Sequence, residues 1–400
     1  EGFSSGRTAV TAVGGRTVEV PALRLERTVE ETAESGSASN VILLEQTATR
    51  IGVKGSGGQE VAGLTFQVAD SAGRPVVLDH AVEVDFQFGQ RPGGGEFLHA
   101  DEKETDNTGK VSVHLSSGTK AGVVQVVASA EVDDRTIRSK PVSVTIHGGL
   151  PDQAHFTVAP DKINFPGLTR YGLTNPVVAI VGDQYGNPVK SGTAVYFTTT
   201  HGVIEGSITT DDRGRGAVEL TSANPLPDDG IAHVHATTAD RGEGKVEGST
   251  PIVFSGEPVI EVAPTTLSLG SWYDLTVVDP NGNPLAAGTN IAVTVEGSQV
   301  KAVGHTNVTL GQTTFSGGTE YEHVNRGEGI TEFRFRAVED PDPTTEGGPS
   351  LESIRIAVTG PNGSLAVVIG GAGAKSVTRG ASLEQLETGG VRVEASSDAR

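Results

Sequence analysis

"VVAIVGDQYGNPVKSGTAVYF", Val177 to Phe197, decides the reading of this chain. An apolar run leads into the word "DQYGNPV" (Asp183 to Val189), and an alternating run follows it. Similar words stand at Asp70 to Val76, "DSAGRPV", and at Asp279 to Leu285, "DPNGNPL". Their residue types suit a tight turn between strands. An Asp side chain accepts hydrogen bonds from backbone amides a little further on, Gly takes positive φ, and Pro presets φ for the next segment. Asp70, Gly73 and Pro75, Asp183, Gly186 and Pro188, and Asp279, Gly282 and Pro284 are therefore read as structural turn residues. A bound cation at these aspartates is the competing reading. One carboxylate per turn falls short of the roughly six to eight oxygens that calcium takes.

Period-two alternation dominates the rest. It is seen in "AVEVDFQF" (Ala81 to Phe88), "KVSVHL" (Lys110 to Leu115), "AVYFTT" (Ala194 to Thr199), "HVHAT" (His233 to Thr237) and "EFRFRAV" (Glu332 to Val338). Such runs between turn clusters predict an all-β fold of antiparallel sandwiches. Only Arg24 to Ser35 and Ala381 to Glu387 look helix-like. A second word, "TDNTGKVSVHL" (Thr105 to Leu115) and "TDDRGRGAVEL" (Thr210 to Leu220), follows the first two turn words. The turn words lie 113 and 96 residues apart, close to the roughly 100 residues of an Ig-like sandwich. Three tandem domains are expected, at 40–147, 148–255 and 256–361, the third divergent. Residues 1–39 and 362–400 are left as extended, strand-like segments.

The order of these words resembles the group 1 bacterial Ig-like domains of invasin- and intimin-type surface proteins. The second unit, with "DQYGNPV" and "TDDRGRGAVEL", matches best; the first matches clearly and the third weakly. The resemblance spans roughly 40–360. It implies β-sandwich modules of extracellular stalks, adhesins and fibres, without catalytic residues.

Composition narrows the function. Glycine is 54 of 400 residues and aromatics are 4%, so thin cores of Val, Ile, Leu and Ala are expected in several small modules. Cysteine is absent, which removes disulfides, thiolate metal sites and a Cys nucleophile. A net charge of −20 argues against nucleic acid and anionic membranes. The longest apolar run, Leu365 to Ile369, is too short for a membrane-spanning helix. Methionine is absent even at the first position, which suggests a processed chain or a fragment; removal of a signal peptide is the simplest explanation and implies an extracellular or cell-surface location.

Other candidate sites have bland readings. The acidic loops Asp101 to Asn107 and Glu339 to Gly348 lack EF-hand spacing; calcium there is an alternative to solvated loop tips, and no other cofactor is expected. His233 and His235 share one strand face, but Ala232, Val234 and Ala236 opposite them make that face the solvent side. "GFSSG" (Gly2 to Gly6) lacks the strand and helix of a nucleophile elbow. "LAVVIGGAGAKS" (Leu365 to Ser376) departs from the phosphate-loop pattern, with Ala374 before the Lys and Ile369 five residues earlier where glycines are required. Trp272 and Tyr273 are the one aromatic pair that could serve a glycan. No enzyme is expected.

The two end segments hold the candidates for assembly. Val10, Val18, Val20, Leu23 and Leu25 at one end, and Val367, Val368 and Ile369 at the other, are strand-like residues that could pair with another copy. A head-to-tail contact of that kind builds a filament. The leading expectation is thus a surface-filament subunit joined by terminal strand exchange. The alternatives are a monomeric stalk or adhesin segment, whose partners are neighbouring domains and host proteins, and a glycan-binding module.

Overall fold

An alternating strand has one apolar face, and that face leaves water only when the strand joins a sheet packed on another sheet. In the computed structural model this happens in three β-sandwiches along the chain, each with its own buried apolar cluster. The structure describes residues 2–3, 27–28 and 35–395, apart from 240–243, 317–322, 345, 372, 377, 379–380 and 387–388. The described residues include no α-helix, only single 3-10 turns at Leu78–His80 and Gln153–His155.

In the first sandwich one sheet has the order Asn40–Gln46, Val61–Ala69, Lys110–Ser116, Phe97–Leu98. The facing sheet has the order Arg50–Gly52, Val142–His147, Gly122–Val132, Glu83–Gln90, Glu102–Glu104, with Arg135–Arg138 also on Gly122–Val132. Arg50–Gly52 runs parallel to its neighbour; the other pairs are antiparallel. The second sandwich repeats this order. Phe156–Pro160, Thr174–Val181, Arg215–Thr221 and Val203–Ile204 form one sheet. Asn164–Phe165, again parallel, leads the other, followed by Lys245–Phe254, Ile231–Ala239, Ala194–Thr199 and Ser207–Thr209.

The third sandwich departs from the sequence reading. It does not end at 361. Gly363–Gly370 pairs along its length with Ser350–Gly360 and supplies the strand that Lys245–Phe254 supplies in the second sandwich. Gly373–Ser376 then returns antiparallel to it, so these residues of "GGAGAKS" are a strand. Val391–Glu394 covers the edge of Val259–Ala263, and Ser382–Gln385 pairs in turn with Val391–Glu394. The residues of 362–400 that the structure describes therefore build the third sandwich. The helix-like Ala381 to Glu387 contains a strand, Ser382–Gln385, because the edge of Val391–Glu394 away from Val259–Ala263 accepts it. Leu365, Val367 and Ile369 are buried in the core, and Val368 on the other face is half-buried. At the other end, Gly2–Phe3 pairs with Arg27–Thr28. Val10, Val18, Val20, Leu23 and Leu25 lie outside the described residues.

Register gives each sandwich a direction. In the second, Ile180 lies opposite Arg215 beside the turn word, and Thr174 opposite Thr221 at the far end. The first sandwich has the same arrangement with Gln67 opposite Lys110 and Val61 opposite Ser116, and the third with Thr276 opposite Glu332 and Trp272 opposite Arg336. The turn word thus sits at the near end of every sandwich. The connections 117–121 and 222–230, and the described residues of 340–349, sit at the far end.

Ile369→Ala should destabilise the third sandwich by about 2–5 kcal/mol, the usual cost of emptying a buried Ile site. Urea unfolding followed by the single tryptophan, Trp272, reads this sandwich alone. An unchanged midpoint would count against residues 363–370 as a core strand.

Candidate functional site

The turn words do more than turn the chain. In each, one carboxylate oxygen serves the word itself. Asp70 Oδ1 accepts from the Ala72 and Arg74 amides at 2.9 Å each. Asp183 Oδ1 accepts from Tyr185 and Asn187 at 2.9 Å each, and Asp279 Oδ1 from Asn281 and Asn283 at 2.9 and 2.8 Å. Gly73, Gly186 and Gly282 have φ of 81°, 77° and 73°, which the turn requires and L side chains resist. The second words use the same chemistry: Asp106 accepts from Thr108 and Lys110, Asp211 from Arg213 and Arg215, and these bonds hold both acids below their ordinary range.

The other oxygen holds the chain that enters the sandwich. Gly36 N donates to Asp70 Oδ2 at 3.1 Å, Gly149 N to Asp183 Oδ2 at 2.8 Å, and Gly256 N to Asp279 Oδ2 at 3.0 Å. All three carboxylates are buried. A buried carboxylate is tolerable only with such donors. Gly148, before the first clamped linker residue, is pressed against the word: a Cβ there would stand 1.8 Å from the Pro188 carbonyl oxygen.

The residue after the word's glycine reaches back to the preceding sandwich. Asn187 donates through Nδ2 to the Thr119 carbonyl at 2.8 Å, and its Oδ1 accepts from the Ala121 amide at 2.9 Å. Asn283 donates to the Asp229 carbonyl at 2.8 Å, and its Oδ1 accepts from Arg326 at 3.0 Å. The second junction goes further. Asn164 of the second sandwich donates to the Pro284 carbonyl of the third at 2.6 Å, while Asn362 donates to Gly256 O at 2.7 Å and to Ser255 Oγ at 2.9 Å. Ser255 donates to Asn164 Oδ1 at 2.6 Å. Asn164, Ser255, Asp279, Asn283 and Asn362 are all buried, so this is a closed polar network.

Electrostatics separates the ends. The Arg74 and Gly36 amides and the Arg74 guanidinium, whose Nε lies 2.9 Å from Oδ2, hold the Asp70 carboxyl down at about 2 against the desolvation of its site. Burial pushes Asp279 up despite its three amide donors.

The remaining candidates are placed as follows. The His233 and His235 rings stack 6.4 Å apart on the outer face, with Ala232, Val234 and Ala236 in the core; burial and the neighbouring His235 lower the His233 pKa. Among the described residues no three His, Asp or Glu side chains gather as a metal site. The aspartate oxygens of the turn words are already engaged by N–H donors, which leaves little for a cation. Tyr273 is buried, its hydroxyl donating to Thr266 O at 3.0 Å, while Trp272 is exposed with the Arg336 guanidinium 4.8 Å over its ring. A cleft of about 200 Å³ opens at the first junction, lined among others by Val53, Leu150, Asp152, Asp183 and Lys245.

Comparison of the sequence with family profiles and with curated proteins finds no match. Solved structures do resemble it. The Escherichia coli adhesin FdeC is 13% identical, with 84% of this chain and 98% of that one covered and a TM-score of 0.43. The Yersinia pseudotuberculosis adhesin InvE is 16% identical over 74% of this chain and 75% of that one, with a TM-score of 0.27. The D0-D1 domain of intimin is 22% identical over 54% of this chain and 98% of its own, with a TM-score of 0.21. The sandwich assignment itself rests on the sheets and registers above.

The roles of Gly149, Gly256, Asn187 and Asn283 escaped the sequence reading, which stopped at the turn. The available signal was a glycine-containing linker before each word and an Asn in two of the three words at the same place.

Asn187→Ala removes both side-chain bonds across the first junction and should cost about 1–3 kcal/mol of coupling between the first two sandwiches. Faster proteolysis within 148–153, with unchanged melting of the third sandwich, is the expected readout. Asp70 gives a pH test. Its folded pKa, about 2, lies below the unfolded value near 3.9, so its contribution is present above about pH 4 and is lost as pH falls toward 2. Asp70→Asn should flatten the acid dependence of first-sandwich stability in that window, measured by urea titration at stepped pH.

Proposed function

We propose that this chain is an extracellular structural segment of a bacterial surface protein, a stalk that sets the distance between an anchor and an adhesive part. The observation that supports this reading is the clamped linker. At both internal junctions a buried aspartate holds the entering chain, and an asparagine holds the preceding sandwich. Unconstrained linkers would leave the sandwiches free to swivel; hydrogen-bonded ones resist it. No catalytic role is proposed. The cleft of about 200 Å³ at the first junction is small beside the roughly 300–1,000 Å³ of ordinary ligand pockets, and its Asp183 is occupied by backbone donors. Host proteins or glycans are the partners of the adhesive part in this reading. The surface location follows from the same proposal.

A filament of such chains is the second reading. Exchange of the strand holding Val367, Val368 and Ile369 would require the third sandwich to open, because residues 363–370 pair on both sides within it. The filament reading is therefore better supported through docking of folded ends.

Small-angle scattering tests the stalk. The intact chain should give one sharply bounded longest dimension. The double variant Asp183→Ala, Asp279→Ala should broaden the distance distribution while the β-sheet circular dichroism persists. A wild-type chain already as broad as the variant would remove the reading.

A further inference from the structure

On the outer face of the third sandwich, Trp272 lies opposite Arg336 in the antiparallel register. Both alternate with buried residues, Tyr273 on one strand and Phe335 and Ala337 on the other, so the core is filled without them. Trp272, the single tryptophan of the chain, is 44% exposed. The Arg336 guanidinium stands 4.8 Å from its ring centroid. A Cβ on Gly304 would come within 3.3 Å of Trp272 Cζ3, so the glycine leaves room for the indole. The place is particular to this sandwich. Trp272 stands seven residues before the aspartate of its turn word. The same place holds Gly63 opposite His114 in the first sandwich and Pro176 opposite Glu219 in the second. Gly63 and Pro176 offer no aromatic face, and Glu219 carries the opposite charge.

The charges around Arg336 point to the ligand. Its neighbours of like sign are already paired: Arg334 Nε lies 2.7 Å from Asp274 Oδ1, and Lys301 Nζ 3.0 Å from Asp340 Oδ1. Arg336 is not. Among the described residues no hydrogen bond or ion pair holds its guanidinium, and its Nε is buried without a partner. Val303 and Trp272, directly across from it on the two neighbouring strands, carry no acid. Buried polar groups normally have partners, and a guanidinium pairs best with a carboxylate. The indole beside it offers an apolar face to a flat ligand. A sugar ring that bears a carboxylate answers both needs: its C–H face packs on the tryptophan and its acid meets the arginine. The net charge of −20 disfavours a polyanion, so a single carboxylate is a better match than a sulfated polymer.

We propose that Trp272 and Arg336 form a binding site for a carboxylated sugar at the end of a glycan. The indole stacks on the sugar ring, and the guanidinium pairs with the carboxylate. The face is open, so it suits a terminal residue of a longer glycan, and the ion pair there weakens with salt. This goes beyond the stalk reading and does not depend on it, because the junction clamps do not involve either residue.

The single tryptophan reports on its own site. Fluorescence of the full chain should change saturably on titration with an acidic sugar, for which sialyllactose and a disaccharide ending in glucuronic acid are the two probes. Binding of either supports the site, and the tighter of the two identifies the source of the carboxylate. Lactose, which lacks the acid, should bind at least about tenfold more weakly. Sodium acetate and a polyglutamate peptide should leave the emission unchanged. Arg336→Gln keeps the reporter and should weaken binding at least about tenfold, while Arg336→Lys, which keeps the charge, should weaken it less. Circular dichroism melts of both variants check folding, and the milder lysine variant keeps the test readable if the glutamine variant does not fold. No saturable change with either acidic sugar up to about 10 mM, past the roughly millimolar level of weak recognition, would overturn the proposal. So would equal binding of lactose, an equal response to acetate or polyglutamate, or undiminished binding by a folded Arg336 variant.

Discussion

Each sandwich depends on how one aspartate divides its two oxygens. One oxygen closes the turn by accepting two amides of its own word; the other accepts an amide of the entering linker. Neither half suffices alone. At Asp70 and Asp183 the second oxygen also accepts from Arg74 Nε and Asn187 Nδ2, but losing the linker bond would still leave a linker amide unpaired beside a buried carboxylate, which is costly. The turn and the linker are therefore ordered together, and the sandwich is joined to the chain before it by the same group that shapes its own strand connection.

The two internal junctions use this device differently. At the first, Asp183 lines a cleft, and Asn187 is half-buried. At the second, Asn164, Ser255 and Asn362 complete a network in which each side-chain donor has an acceptor. The second network draws on Asn362, at the turn between Ser350–Gly360 and Gly363–Gly370, so its integrity depends on the late strands of the third sandwich. Those strands also settle an edge. Val259–Ala263 is covered by Val391–Glu394, whereas Asn40–Gln46 in the equivalent place of the first sandwich leaves Ile42, Leu43 and Leu44 exposed. Exposed edges are where sheets meet other chains.

Local chemistry was legible in the sequence. Alternation identified the strands, since a half-buried strand must alternate, and Asp, Gly and Pro identified the turns, since their φ preferences and short-range hydrogen bonds act within a few residues. What lay beyond a few residues was not legible. Ala381 to Glu387 has polar residues that serve a helix or an exposed strand, and only the backbone of Val391–Glu394 decided for the strand. The run Leu365 to Ile369 looked like a loose end because the third unit lacks the repeat's second word, yet its pairing with Ser350–Gly360 places it in the core.

The sequence by itself determined an all-β chain of short strands, and the turn that Asp183, Gly186 and Pro188 must make. Only the tertiary structure decided that the second oxygen of Asp183 holds Gly149 and that Asn187 spans to Thr119 and Ala121. The physical reason is range. A turn is closed by atoms two to four residues apart, which the sequence lists side by side, whereas a junction is closed by atoms that meet only after two sandwiches have each folded.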